Sequence, residues 1–210
     1  MTDRAVIFNN LAFQKGANAT YQFKFDYDAA TGQTYQYRSD WERMQSKIGK
    51  IGLGQQYEPN LYCRFYNITS GVTPNFYGPP GGDWGTEKGT PGAYPINFNN
   101  GFPGTTTYTN TGVVAKGYVY SPVATTIQLR TVSDDGVAVF LNNLPVINNW
   151  TAHSSTTDTS AVLQLLPGYT PIEVRYFNGA VDGILQLSYN LGGTGFNQNN
   201  GVLYNTACSR

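Results

Sequence analysis

Asp134 and Asp135 stand side by side in Thr131-Val-Ser-Asp-Asp-Gly-Val-Ala-Val-Phe-Leu-Asn142. Adjacent carboxylates repel each other unless a cation or a strong set of donors lies between them. The pair is therefore a candidate cation site. Asp and Gly are also ordinary turn residues, so a solvated turn is the alternative reading of the same stretch. Other chemistry is sparse. The one histidine, His153, lies in a Thr/Ser-rich loop, and neither a Gly-x-Ser-x-Gly nor a His-Glu-x-x-His pattern occurs. Glycosidases set two carboxylates about 5–9.5 Å apart across a cleft, whereas neighbours in sequence suit an ion better. The expectation is a protein that is not an enzyme.

Three smaller features add little. Asp26 and Asp28 lack the spaced oxygens of a calcium loop and read as strand-end polarity. Cys63 and Cys208 cannot form a metal site by themselves. A bridge from the C-terminal tail to an early strand and two buried free thiols both remain open. Asn18, Asn67 and Asn149 each begin an Asn-x-Ser/Thr triplet, which an Asn- and Thr-rich chain produces often by chance.

The elements that must position the aspartates read as strands. Ile127, Leu129 and Thr131 alternate with Gln128, Arg130 and Val132, the period of two of a half-buried strand. Val137 to Leu141 is a short apolar run closed by Asn142-Asn143, so the chain is expected to turn at Ser-Asp-Asp-Gly and return. Val113 to Tyr120 precedes them, and Pro145-Val-Ile147 and Trp150, a core residue, follow. Ala161, Leu163 and Leu165 form one face of the next strand. Ile172, Val174 and Tyr176 oppose Glu173, Arg175 and Phe177, and Leu185, Leu187 and Tyr189 alternate with Gln186 and Ser188. Strands at this spacing with turn signals between them predict a sandwich or barrel.

Residues 1–58 read differently. Tyr21, Phe23, Phe25 and Tyr27 alternate as a strand would. Ser39-Asp-Trp-Glu42 has the form of a capping box, with Trp41, Met44 and Ile48 at helical spacing and Gly49 at the stop. Leu61 to Tyr66 begins the main domain. From Ser70 to Gly112 the chain is rich in Gly, Pro, Thr and Asn but punctuated by aromatics, which disordered segments lack; it reads as a long ordered loop region over the domain.

Thirteen basic residues balance thirteen acidic ones, so no electrostatic footprint for nucleic acid exists. Sixteen tyrosines with only 12% charged residues suit a strand-and-loop protein working at a surface. No apolar run approaches the roughly 18 residues that span a bilayer. The first residues show no secretory signal peptide, so the expectation is an extracellular surface or virion location, reached either after loss of a leader or without one.

Several stretches then share one resemblance: Gly-Tyr-Val-Tyr (117–120), Val-Ser-Asp-Asp-Gly-Val-Ala-Val-Phe-Leu (132–141), Val-Ile-Asn-Asn-Trp (146–150), Leu-Pro-Gly-Tyr-Thr-Pro-Ile-Glu-Val-Arg-Tyr-Phe-Asn (166–178) and Leu-Gln-Leu-Ser-Tyr (185–189). In this order they resemble the domain family named after the anthrax protective antigen, found also in yeast flocculins, fungal epithelial adhesins and bacterial glycosidases. The resemblance runs from about Asn60 to about Leu191. It implies an all-β, antiparallel, jelly-roll-like β-sandwich, placed over residues 59–210; residues 1–58 fall outside the resemblance and read as an N-terminal extension with one short helix.

It also implies a calcium ion held by two aspartates joined through a cis peptide, an Asn side chain and two backbone carbonyls, with sugar hydroxyls completing the shell. By position these are Asp134, Asp135, Asn178 and the carbonyls of about Ala180 and Asp182. Asp182 departs from the pattern by adding a third carboxylate. Trp84 is the ring that would stack on the sugar, anchoring the loop region being its other reading. The implied function is a calcium-dependent carbohydrate-binding module of a cell or virion surface, its partner a glycan. The alternative is a structural minor capsid or surface protein of a large virus, with residues 1–58 as the arm that meets a neighbouring subunit.

Overall fold

The computed structural model describes residues 57–79, 83–99, 101–105, 108–180, 183–198 and 201–206. These residues fall within one compact unit, Lys50–Arg210. The expected helix after Ser39, the strand at Tyr21–Tyr27 and all but the end of the 1–58 arm lie outside the described residues, as do Asp182 and Cys208.

The described residues are all-β. The strands are β1 (Glu58–Pro59), β2 (Leu61–Ile68), β3 (Trp84–Tyr94), β4 (Asn97–Asn99), β5 (Thr111–Ser121), β6 (Thr125–Asp134) and β7 (Val137–Leu141). They continue with β8 (Leu144–Asn149), β9 (Thr156–Thr159), β10 (Leu163–Leu165), β11 (Gly168–Asn178), β12 (Ile184–Leu191) and β13 (Leu203–Asn205). Every pairing between them is antiparallel, in one sheet of eight strands and one of five.

β5 and β11 form the spine of the larger sheet, paired from Thr111↔Asn178 to Ser121↔Gly168. The other edge of β5 is shared lengthwise, by β2 along its first half and β13 along its second. In the smaller sheet β6 and β12 pair from Ile127↔Leu191 to Asp134↔Ile184. The strict alternation of the sequence sets which faces meet. Ile127, Leu129 and Thr131 of one sheet and Ala115, Val119, Ile172, Val174 and Tyr176 of the other are buried between them. Each such aliphatic side chain contributes about 1.5–3 kcal/mol by leaving water.

A second, smaller cluster sits on the outside of the eight-stranded sheet. Ile68, Trp84, Val114 and Phe177 form it, with Trp150, expected in the core, partly buried against them instead. The indole N–H groups of Trp84 and Trp150 donate to the carbonyls of Asn75 and Pro74, each at 2.7 Å. They thereby pin the segment after β2 onto the sheet.

Three expectations are corrected. The Ser70–Gly112 stretch is not all loop, since it holds β3 and β4. β3 is an edge strand that pairs only with β2, and after Trp84 its residues are mostly exposed. A strand without a buried face has no apolar alternation to read, and its Pro91 is tolerated because an edge strand has a free side. Ala161 is exposed, and its strand begins only at Leu163. The turn at Asp134-Asp135-Gly136 does not return the chain along its own sheet. β6 belongs to the five-stranded sheet and β7 to the eight-stranded one, so this turn crosses the sandwich. The tight hairpin is the next one, β7–β8, where Asn142 and Asn143 have φ of 50° and 63°, as a two-residue type I′ turn requires.

Candidate cation site

Three connections that cross between the sheets meet at one rim of the sandwich: 135–136 after β6, the one after β8 at His153 and the one after β11 at Gly179. Gly136 lets the first of them lie flat on the eight-stranded sheet. A Cβ there would come within 2.2 Å of the Phe177 ring, a distance no side chain can adopt. With that space free, the Phe177 amide donates to the Gly136 carbonyl at 3.0 Å. The Asp134–Asp135 peptide bond is cis, and the Tyr176 hydroxyl donates to the Asp134 carbonyl.

Asp135 ties the other two connections to the first. Its Oδ1 accepts the His153 amide at 3.0 Å and its Oδ2 accepts the Gly179 amide at 2.8 Å. Asn178, the last residue of β11, is fully buried. Its Nδ2 donates to the Tyr108 carbonyl at 2.8 Å, which fixes the amide. Its Oδ1 is then buried without a partner among the described residues. Gly183 completes the packing, because a Cβ on it would approach Asn178 Nδ2 to 2.9 Å and the Tyr176 hydroxyl to 3.2 Å. The Tyr176 hydroxyl is held neutral well above its ordinary range, first by burial and then by the charges of Asp135 and Asp134.

The donor set is oxygen-only. Two carboxylates and an orphaned amide oxygen suit a hard cation such as calcium. Among the described residues no three His, Cys, Asp or Glu side chains gather, so a thiolate or imidazole centre of the zinc kind is not assembled from them. A buried acceptor with no donor is costly unless something satisfies it, and a cation at this rim would do so. The residues fit calcium on that observation.

The sequence matches the PA14 domain family over residues 78–195. The chain belongs to the PA14 family. Its described fold is similar to solved structures of that kind. One is the PA14 domain of the antifreeze protein MpAFP, at 18% identity and TM-score 0.56, covering 74% of this chain and 95% of that one. Another is the A domain of epithelial adhesin 9 from Candida glabrata, solved in complex with Galb1-3GlcNAc, at 14% identity and TM-score 0.52, covering 71% and 90%. A third is an anti-sigma factor domain-containing protein from Clostridium clariflavum, at 18% identity and TM-score 0.56, covering 70% of this chain. The chain spans about half of that protein, 47%. At these identities the likeness is one of fold. No curated protein matches the sequence.

Within this PA14 domain, Asp134, Asp135 and Asn178 lie at one rim of the sandwich. Ala180 lies exposed in the same connection, and Asp182 lies outside the described residues. Trp84 does not join them. It is 3% exposed, bonded to Asn75 through its only polar atom and packed under the outer cluster. Its ring has no free face for a sugar, and the stacking role is corrected to a structural one. Sequence reading passed over Gly179, His153 and Tyr108. All three act through backbone groups, which side-chain type does not announce. Cys63 is a free thiol, fully buried, with its pKa pushed far up by burial.

Proposed function

We propose that this PA14 domain is a calcium-dependent carbohydrate-binding module displayed on an outer surface, and that it binds rather than catalyses. The observation that carries the reading is Asn178 Oδ1, a fully buried acceptor without a donor among the described residues, next in sequence to Gly179, whose amide the Asp135 carboxylate accepts. Asp134, Asp135 and Asn178 would hold the ion, with the backbone carbonyl of Ala180 as a further oxygen. Bound there, calcium supplies open coordination positions that vicinal sugar hydroxyls can fill. Asp135 does a separate job, since its two amide bonds hold the three connections in register whether or not a ligand is present. Tyr176 and Gly183 keep the Asp134 carbonyl and the Asn178 amide in place.

The Epa9A domain, crystallised with Galb1-3GlcNAc, makes galactose-terminated glycans the first probes. Among the described residues no helix is long and apolar enough to cross a membrane. The test is a glycan array run with the full chain in calcium and then in chelator. Binding that appears in calcium and disappears in chelator is the expected result. An array blank in both conditions, or binding indifferent to chelation, overturns the proposal.

A further inference from the structure

Arg130 is the one described arginine without a carboxylate partner. Arg64 pairs with Glu87 and Arg175 with Glu173, at 3.6 and 2.6 Å. No carboxylate lies within ion-pair distance of Arg130 among the described residues. Its Nε is buried and has no acceptor among them. The guanidinium carbon instead sits 3.5 Å from the centroid of the Phe196 ring, a stacked cation.

That ring is held firmly. Phe196 comes from the segment after β12, and its neighbour Asn197 exchanges two backbone hydrogen bonds with Tyr189, at 3.0 and 2.8 Å. β12 in turn is paired to β6, with Ser188 opposite Arg130. Strand, partner strand and returning segment together hold the guanidinium plane without using its hydrogen-bonding edge.

Arg130 and Phe196 line an open cavity of about 470 Å³ on the outer face of the five-stranded sheet, with Thr157, Ser188 and Gln198 around it. No lining residue among the described ones is acidic, so they give the cavity one formal positive charge and several neutral hydrogen-bonding groups. Its volume falls in the range of small-molecule sites, about 300–1,000 Å³, far more than a carboxylate alone fills. Along β6, three residues separate Arg130 from Asp134, a rise of about 13 Å. The charged end of the cavity therefore lies apart from the rim.

We propose that this cavity is an anion subsite that takes the carboxylate of an acidic sugar. A guanidinium presents parallel N–H donors that match a carboxylate in two-pronged fashion. Here the terminal N–H donors make no hydrogen bond or ion pair among the described residues, and stacking on Phe196 fixes the guanidinium plane before the ligand arrives. The hydroxyls of Thr157 and Ser188 and the Gln198 amide meet the ring hydroxyls, and Phe196 with Val132 supplies the apolar floor. The subsite does not depend on calcium.

The test is an NMR titration of the ¹⁵N-labelled full chain with methyl glucuronate and, separately, with methyl glucoside, both in chelator and low salt. Glucuronate is expected to shift the Arg130 Nε–H and the amides of Thr157, Ser188 and Gln198 saturably, while glucoside leaves them still. Arg130→Gln is expected to weaken glucuronate about tenfold or more, the loss of a charge-assisted hydrogen bond. Equal shifts with glucoside, no shift with glucuronate, or an unchanged titration in Arg130→Gln each overturn the proposal. Because chelator is present throughout, failure of the calcium reading leaves the outcome untouched.

Discussion

The Oδ2 atom of Asp135 accepts the backbone N–H of Gly179 at 2.8 Å, joining the connection after β6 to the connection after β11. The other oxygen accepts the His153 amide, so a single carboxylate fastens three loops. Asparagine has the same shape but only one acceptor. Asp135→Asn leaves one of the two amides facing an NH₂ group. It is expected to cost about 1–3 kcal/mol of stability even in chelator, and to diminish any stabilisation by calcium as well. Asp158→Asn is the control, because Asp158 uses one oxygen, for Asn149 at 3.0 Å, which the amide can reproduce. Urea melts of both variants in calcium and chelator decide it; equal stability of Asp135→Asn and parent in chelator would refute the clamp.

Calcium itself should stabilise the parent. An ion that binds only the folded chain adds about 2.7 kcal/mol when free calcium is a hundredfold above its dissociation constant. A thermal melt that stays put on adding chelator contradicts the site at Asp134, Asp135 and Asn178.

Gly183 tests the amide. A methyl group there meets Asn178 Nδ2 at 2.9 Å, within a packed rim where overfilling costs about 1–3 kcal/mol. Gly183→Ala is expected to push the Asn178 side chain from its bond to Tyr108 and weaken calcium binding measured by calorimetry. An unchanged calcium isotherm would show that Asn178 Oδ1 is not a ligand.

Trp84 separates core from site. Trp84→Phe loses the bond to Asn75 and part of the ring packed in the outer cluster, with an expected cost of about 1–3 kcal/mol. Glycan affinity at saturating calcium should not change. A variant of normal stability that no longer binds glycan restores Trp84 to the site.

Tyr176 gives an alkaline signature. Its pKa is raised in the folded chain by burial and by the two aspartates, above the unfolded value of about 10. Below pH ~10 the hydroxyl is neutral in both states, and stability does not vary on its account. Above that, only the unfolded chain releases the proton, so stability falls as pH rises, by about 1.4 kcal/mol per unit for one such group. Tyr176→Phe should flatten the slope of stability against pH between about 10 and 11, by about 1 kcal/mol over that unit because the unfolded hydroxyl is only partly ionised there. An unaltered slope means the hydroxyl ionises as easily folded as unfolded.

Residue alternation was enough to assign the faces of the long strands. Ile127, Leu129 and Thr131, and Ile172, Val174 and Tyr176, are buried as their period of two demands, because alternation is a local property that the pleat converts directly into inside and outside. The sequence also marked Asp134, Asp135 and Asn178, through the order of motifs around them. Tertiary structure alone decided where each turn leads. Asp134-Asp135-Gly136 and Asn142-Asn143 carry similar turn chemistry, yet the first crosses between sheets and the second closes a hairpin, since local dihedral preferences do not choose a strand's partner. The same holds for Trp84 and for Asp135. An indole reads alike in a loop or a core, and the amides that claim Asp135 come from His153 and Gly179, backbone groups every residue but proline possesses and only the folded chain brings within reach.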